Sequence, residues 1–313
     1  METALLQQAS AALRSAALNE EAKNHVLSNP ALFKILKRAA DRYIGGETLE
    51  ETVNKVTLQN NQGFKCSIEY MGESTHTPQE ANAARNEFVN ICSTIKRLNL
   101  NATVSLDLSH IGLAISPDLC LHNLQLICDE ALTGNTEVII SAENTDRTDT
   151  VLSTYKAIAG TYPNVGITLQ SYLYRTPEDF DGLLKYKGRI RIVKGAFETI
   201  PGLAMPRGSQ LDQAYLDYVD RLLSANHLCS IATHDKIIQE EVKKIIKKRQ
   251  PSQDSYEFES LFGIQHEQLQ ELKADGYPAK IYFVYGREWY LYLCNRLAEY
   301  PLNVFQALVD IVV

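Results

Sequence analysis

Eight short apolar runs, each followed by polar residues, recur at intervals of roughly 20 to 40 residues, a spacing that leaves room for one helix between successive strands. The runs are KCSIEYMGE, ATVSLDLSH, TEVIISAEN, VGITLQSYL, RIRIVKGAF, LCSIATHD, YEFESLFG and KIYFVYGRE. Strands that alternate with amphipathic helices build a closed parallel barrel. The pattern therefore predicts an α/β fold, a (β/α)8 TIM-type barrel, and places candidate functional residues where the strands end.

Residues 1–60 show helical periodicity with breaks at Asn29-Pro30 and Gly45-Gly46. Thr48, followed three residues later by Glu51, is a capping box for one further helix. We expect an N-terminal helical segment over residues 1–60 that packs on the barrel, and a catalytic barrel over residues 61–313, with a single domain overall.

The charge balance argues against a nucleic-acid partner, because the chain of 313 residues carries a net charge of -7 and shows no basic face. Its one dense basic run, KKIIKKR from Lys243 to Arg249, is typical of a solvated helix face, and peripheral contact with a membrane is the alternative. The start of the chain lacks the pattern of a secretory signal, and we expect a cytoplasmic protein.

Cysteine and histidine spacing gives no sign of a metal site. The six cysteines form no C-x-x-C pair, and the seven histidines have neither H-x-x-x-H nor H-E-x-x-H spacing. We therefore expect reduced core thiols and no bound metal.

Strand alternation identifies the charged residues that face the barrel interior. In VSLDLS, Ser105 and Asp107 share one face, so Asp107 is expected to point inward. A structural ion pair with another strand is the alternative role for this carboxylate. In RIRIVKG, Arg189 and Arg191 share a face, and Lys194 ends the strand. Three cations in one strand favour an anionic or electron-rich ligand.

Polar residues at other strand ends complete the predicted mouth of the barrel. Gln170, Thr233 and His234 act either as ligand contacts or as hydrogen-bonded strand caps. Spacing alone supports a mouth that holds an anionic cofactor or substrate. Its predicted lining is Gln170, Arg191, Lys194, Thr233, His234 and Arg296.

Five motifs occur in a characteristic order: LQSYLYRTPEDF, RIRIVKGAF, IATHD, YEFESLFG and YGREWYLYLCNRLAEYP. Together with DRYIGGETLEE near the start, they resemble the proline dehydrogenase family of FAD-dependent barrels. The resemblance covers nearly the whole chain. It implies non-covalent FAD, hydride transfer from the carbon beside the substrate nitrogen to flavin N5, and a quinone or another electron acceptor.

The resemblance also implies roles for individual residues. Arg191 resembles the arginine beside flavin N5, where a fixed guanidinium stabilises the charge of reduced flavin. Tyr282 and Tyr292 fall near the substrate pocket, and Arg296 matches the second of two arginines that bind the proline carboxylate. The positions that resemble flavin contacts are Gln170, Lys194, Gly195, Ala196, Thr233 and His234.

Three departures from the family pattern fall on the substrate side. Asp107 stands where the family has a lysine, Asn295 where it has the first arginine of the pair, and Ser141 where it has an acidic residue. The net change in charge is about -2, and removing one charge-assisted hydrogen bond to the substrate costs about 2–5 kcal/mol. We therefore expect free proline to bind weakly, with Asp107, Ser141 and Arg191 as the residues nearest the chemistry.

The sequence thus predicts an FAD-dependent oxidoreductase that oxidises a C–N bond in a small amine, amino acid or imino acid other than free L-proline. Two alternatives stay open. One is an ordinary proline dehydrogenase that makes pyrroline-5-carboxylate, and the other is a non-catalytic flavin- or ligand-binding protein on the same fold.

Overall fold

The computed structural model describes residues 2–72, 74–197 and 199–312. Within these ranges it contains eight strands and thirteen α-helices. The strands are β1 (Lys65–Tyr70), β2 (Ala102–Leu106), β3 (Val138–Ile140), β4 (Val165–Gln170), β5 (Ile190–Val193), β6 (Cys229–Ala232), β7 (Tyr256–Leu261) and β8 (Ala279–Tyr285).

The helices fall into three groups along the chain. Before the first strand lie α1 (Glu2–Ala17), α2 (Glu20–Ser28), α3 (Pro30–Asp41) and α4 (Leu49–Asn61). Between strands lie α5 (Pro78–Leu98), α6 (Pro117–Thr133), α7 (Thr148–Ala159), α8 (Thr176–Leu183), α9 (Ser209–Ser224), α10 (Lys236–Arg249) and α11 (His266–Ala274). After the last strand come α12 (Trp289–Glu299) and α13 (Asn303–Val312).

The strands form a closed barrel in the order β1 to β8, and each predicted apolar run contains one of them. The pairs from β1–β2 through β6–β7 are parallel. In the first pair Glu69 stands opposite Ser105. The predicted (β/α)8 TIM-type barrel is confirmed.

The ends of helix α5 are set by capping residues in the local sequence. Helix α5 starts with a capping box, in which Thr77 accepts a hydrogen bond from the Glu80 amide and the Glu80 carboxylate accepts one from the Thr77 amide. Pro78 occupies its first turn, where no amide donor is needed. The helix ends at Asn99, whose φ of 50° is left-handed. Its apolar face, which includes Phe88 and Ile91, is fully buried.

Two compact units are distinguished along the chain. One comprises residues 1–56, 261–264 and 283–313, and the other residues 57–260 and 265–282. In the first unit the buried Trp289 ring lies edge-on to Phe33 at 5.4 Å between centroids, and Lys23 pairs with Glu288 at 2.7 Å. The predicted division at residue 60 stays a prediction. Among the described helices, none combines the length and apolarity needed to span a bilayer.

Candidate active site

A cluster of charged side chains lies inside the barrel near the beginnings of the strands. This basal cluster consists of Lys65, Glu137, Arg189, Glu257 and Lys280. Lys280 is fully buried and donates to Glu257 at 2.9 Å, and Arg189 donates to Glu137 at 3.0 Å. Burial opposes ionisation of Glu257, but Lys280, Arg189 and Lys65 hold the pKa of this carboxyl well below its usual range. Every charge in the basal cluster therefore has an opposite partner.

Arg191 lies on β5, two residues after Arg189, and the two side chains point to the same face. Its guanidinium is buried and donates to the hydroxyls of Thr168 at 2.8 Å, Ser105 at 3.0 Å and Ser141 at 3.2 Å. It also donates to the Glu259 carboxylate at 3.2 Å and lies 4.9 Å from the centre of the Tyr282 ring. These contacts, from four other strands and the end of β3, fix the plane of the guanidinium.

Two carboxyl groups lie at the ends of β1 and β2. Glu69 is buried at the end of β1, and the half-buried Asp107 directly follows β2. Burial is the largest cause of a strongly raised pKa for Glu69, and the negative charges of Asp107 and Glu143 raise it further. Arg191 and a hydrogen bond with Ser141 act in the opposite direction. We call Glu69, Asp107 and Glu143 the rim carboxyls.

The buried Glu143, which follows β3, is held by the protein itself. It accepts hydrogen bonds from the Ser109 amide at 2.9 Å and from Arg147 at 3.1 Å. Gln170, at the end of β4, donates to the Glu143 carbonyl at 3.3 Å. The side-chain oxygen of Gln170 is buried and has no hydrogen-bond partner among the described residues, so it is an acceptor available to a ligand.

Lys194 and Gly195 follow β5. Lys194 donates to Asp212 and, at 2.7 Å, to Asp235, so two carboxylates already compensate its charge. Gly195 has a φ of 113°, and a side-chain carbon there would lie 2.4 Å from the Tyr172 ring. Glycine at this position is therefore explained by backbone conformation and by close contact with Tyr172. Its role toward a flavin stays a prediction.

Thr233 and His234, which follow β6, make hydrogen bonds within the protein, and their role toward a ligand stays a prediction. The Thr233 hydroxyl accepts from the Asp235 amide at 3.1 Å, and its carbonyl accepts from Gln239 at 2.7 Å. The His234 carbonyl accepts from Gln268 at 3.1 Å. These are the contacts of hydrogen-bonded strand caps. Ala196, by contrast, is exposed.

The remaining predicted substrate residues lie on α12, in the other compact unit. Arg296 donates to Glu299 at 2.6 Å and lies 5.0 Å from the centre of the Tyr292 ring. Its buried Nε has no hydrogen-bond partner among the described residues. Asn295 and Tyr292 are half-buried. The role of these three residues in substrate binding stays a prediction.

Sequence reasoning missed several buried charged residues, among them Glu69, Glu259 and Lys280. Each lies inside a strand with the alternation of an inward-facing residue, as in Y-E-F-E-S-L, where Glu257 and Glu259 share a face. A charge inside an apolar strand is itself a signal, because it must be paired when buried. The same signal is present in β1, β7 and β8 as at the end of β2 and in β5.

A closed (β/α)8 barrel with its reactive side chains at the strand ends is an enzyme architecture. The sequence model described as proline dehydrogenase matches residues 52–303. Proline dehydrogenase 2 of Bacillus subtilis (strain 168) is 32% identical over 266 residues, which are 85% of this chain and 88% of that protein. Proline dehydrogenase of Deinococcus radiodurans is 30% identical over 269 residues, 84% of this chain and 87% of that protein.

The chain therefore belongs to the proline dehydrogenase family. Membership supports a flavin-type oxidoreductase that acts on a CH–NH group of a small molecule. Within the described ranges, no group of three or more His, Cys, Asp or Glu residues could hold a metal ion.

Solved structures share the fold. Proline utilization A (PutA) from Bdellovibrio bacteriovorus, inactivated by N-propargylglycine, aligns with a TM-score of 0.81 at 17% identity and covers 95% of this chain. PutA from Corynebacterium freiburgense aligns with a TM-score of 0.71 at 17% identity and covers 98%. The chain spans only 37% and 34% of those two proteins. At such identities the likeness concerns the fold alone.

Proposed function

We propose that this protein is an FAD-dependent dehydrogenase that oxidises a C–N bond in a small amine, amino acid or imino acid other than free L-proline. The observation that carries the proposal is the pair of carboxyl groups at the ends of β1 and β2. Burial is the largest cause of the raised pKa of Glu69, and the negative charge of Asp107 raises it further, so a further negative charge at this end of the barrel is disfavoured. A substrate carboxylate near Asp107 would meet the same repulsion.

The residues present fit a flavin. Gln170 offers a buried acceptor oxygen without a partner, which suits a ring N–H donor. Arg191 offers a guanidinium held by several hydrogen bonds, which suits an electron-rich ring that gains negative charge. Gln170, Arg191 and Lys194 are the side chains proposed to hold FAD, with Gly195, Ala196, Thr233 and His234 supplying backbone and polar contacts.

When bound, FAD supplies the acceptor for the hydride. The chain's own residues bind and orient the substrate. Asp107 pairs with a positive group of the substrate, or accepts hydrogen bonds from an amide or hydroxyl, at the position where proline would carry its carboxylate. Tyr282 contributes a half-buried ring beside Arg191. The final electron acceptor, a quinone or another compound, stays a prediction.

The second candidate function is oxidation of free L-proline itself. It is favoured by the relatives, which are named proline dehydrogenases and align with this chain over most of their length. Under this alternative, Arg296 and some other cation bind the carboxylate, and Asp107 is directed elsewhere.

An anaerobic flavin-reduction screen tests the proposal. The compounds are L-proline, proline amide, hydroxyprolines, cyclic amines and diamino acids, and loss of flavin absorbance is measured for the wild type, Asp107→Asn and Asp107→Lys. We expect wild type to favour an amide or a cationic compound over L-proline, and Asp107→Lys to improve reduction by L-proline about tenfold or more.

Asp107→Asn is the matched control, because it removes the charge while keeping size and hydrogen-bonding capacity. Efficient bleaching of the wild type by L-proline, together with loss of that reaction in Asp107→Lys, would show that the second candidate is correct. A yellow protein that no compound reduces would instead indicate a non-catalytic flavoprotein.

A further inference from the structure

Glu259 on β7 is a buried acid next to the arginine that we propose to lie beside the flavin. Its exposed fraction is 3%, and one carboxylate oxygen accepts a hydrogen bond from Arg191 at 3.2 Å. Of the four hydrogen-bond partners of Arg191 described above, Glu259 alone carries a formal charge; the other three are hydroxyls. The net charge that Arg191 presents to a neighbouring ring therefore depends on Glu259.

The second oxygen of Glu259 is much less engaged. It lies 3.5 Å from Lys280 Nζ and has no hydrogen-bond partner among the described residues. Lys280 has a closer carboxylate in Glu257, at 2.9 Å. Glu257 therefore suffices to compensate the charge of Lys280. Glu259 lies closer to Arg191, at 3.2 Å, than to Lys280, at 3.5 Å, and only the contact with Arg191 is a hydrogen bond.

Counting the charges of this region supports a role beyond packing. The four buried or half-buried cations Lys65, Arg189, Arg191 and Lys280 face the three carboxylates Glu137, Glu257 and Glu259. Without Glu259, the net charge of these seven groups would rise from about +1 to about +2, and the lost negative charge is the one in contact with Arg191. Charges buried in a protein interior are poorly screened, so a nearby flavin would respond to that change.

We propose that Glu259 is a positioning residue that fixes the Arg191 guanidinium and lowers the reduction potential of the bound flavin by offsetting its charge. The inference rests on the proposed function, because it takes a flavin beside Arg191. Reduced flavin carries more negative charge than oxidised flavin, so removing the negative charge of Glu259 favours the reduced form.

The test is the reduction potential of the flavin in the purified holoprotein, measured by equilibration with a reference dye. Glu259→Gln keeps the shape of the side chain and removes its charge. We expect its equilibrium constant for two-electron reduction to rise about tenfold or more, which corresponds to about 30 mV. Glu259→Asp, which keeps the charge, should stay close to the wild type.

Ser105→Ala is the matched control, because it removes a neutral hydrogen bond to the same guanidinium and changes no charge. A potential that moves equally in Glu259→Gln and Ser105→Ala, or in neither, would overturn the proposal. A lower melting temperature in Glu259→Gln with an unchanged potential would assign Glu259 a purely structural role. If Glu259→Gln fails to fold, Glu259→Asp decides instead, and an equilibrium constant for reduction that differs about tenfold or more from the wild type, although the charge is kept, would overturn the proposal.

Failure of the underlying function is distinguishable. A wild-type protein that stays colourless after incubation with FAD would contradict the proposed flavin site. A yellow protein with an insensitive potential would contradict only the role of Glu259.

Discussion

The basal cluster and the rim carboxyls are both made of buried or half-buried charged groups, yet they differ in balance. In the basal cluster, Glu257 is surrounded by Lys280, Arg189 and Lys65, and its pKa lies well below the usual range. At the rim, Glu69 is buried beside two other acids, and its pKa lies well above the usual value. The same type of side chain is held ionised at one level of the barrel and favoured in its neutral form at another.

The basal cluster therefore suits a structural role, and the rim carboxyls suit a role in ligand binding. A compensated cluster can persist inside the barrel without any ligand, since each charge has a partner, and removal of one partner would leave a buried charge unpaired. At the mouth, Glu143 is paired with Arg147, but burial and the neighbouring acids favour Glu69 in its neutral form, and acids of this kind suit a ligand of complementary charge or hydrogen-bonding capacity. Mutations at both levels therefore test whether charge balance distinguishes the basal cluster from the rim carboxyls.

The largest effect is expected from Lys280→Met in the basal cluster. This change leaves Glu257 and Glu259 with fewer positive neighbours in a fully buried position, and we expect a loss of about 3–5 kcal/mol in the free energy of unfolding. Denaturant titration measures it. Lys236→Met is the control, because its pair with Glu271 is exposed. A loss below about 1 kcal/mol would show that the basal cluster is not structural.

A smaller effect of opposite sign is expected from Glu69→Gln at the rim. The folded protein raises the pKa of Glu69 above its ordinary value of 4.5. The protonated group therefore contributes stability that is complete below this value and is lost as the pH rises through the folded pKa. The amide stays neutral throughout, so we expect Glu69→Gln to be more stable than wild type near pH 8 by about 1–2 kcal/mol.

The check is denaturant unfolding at several pH values. The advantage of Glu69→Gln should shrink toward about pH 4, where wild-type Glu69 is protonated in both the folded and unfolded states. An advantage independent of pH would mean that packing, and not charge, distinguishes the two side chains.

Asp107→Asn should act in the same direction but more weakly. Burial is the largest cause of the raised pKa of Glu69 and persists in this variant, whereas the repulsion from Asp107 disappears. We expect the pKa of Glu69 to fall and the protein to gain stability near pH 8, by less than in Glu69→Gln. In a double-mutant cycle this gain should vanish in the Glu69→Gln background. Simple additivity would argue against contact between the two carboxyls.

The smallest effect is expected from Arg249→Gln, on the surface. Arg249 and Asp220 form a two-point ion pair at 2.7 and 2.8 Å, but about a third of each side chain is exposed to solvent. Solvent screens the attraction between exposed charges of this kind, so we expect the smallest loss of stability of the set. Thermal unfolding in low and high salt measures the difference. A loss comparable to that of Lys280→Met would mean that burial does not decide the strength of these pairs.

The fold was predictable because its signal is repeated. Every apolar run contains a strand, and the capping box of Thr48 and Glu51 begins α4, where the Glu51 amide donates to the Thr48 hydroxyl at 3.3 Å. Alternation also predicted correctly that Ser105 faces inward, since it contacts both Ser67 and Arg191. Strand alternation and helix capping can be predicted locally, because both depend on residues that are close in sequence.

The charge pairing was less predictable. The sequence suggested that the cations of β5 exceed what a core would use, but Arg189 proves to be paired with Glu137 and Glu257. Those partners lie 52 and 68 positions away, and strand register decides whether they meet. Spacing along one strand identifies an inward charge without identifying the charge that faces it. The roles of Asp107, Ser141 and Asn295 toward a substrate stay predictions for the same reason.

The conformation of Gly195 bears on any attempt to redesign this enzyme. With its positive φ and the Tyr172 ring against it, this residue cannot be replaced without strain in the backbone after β5 or displacement of the Tyr172 ring. A mutant library should therefore spare Gly195 and diversify Asp107 and Ser141 instead, since these short polar side chains end strands whose backbone already pairs on both sides. New selectivity would then arise from side chains alone, on an unchanged scaffold.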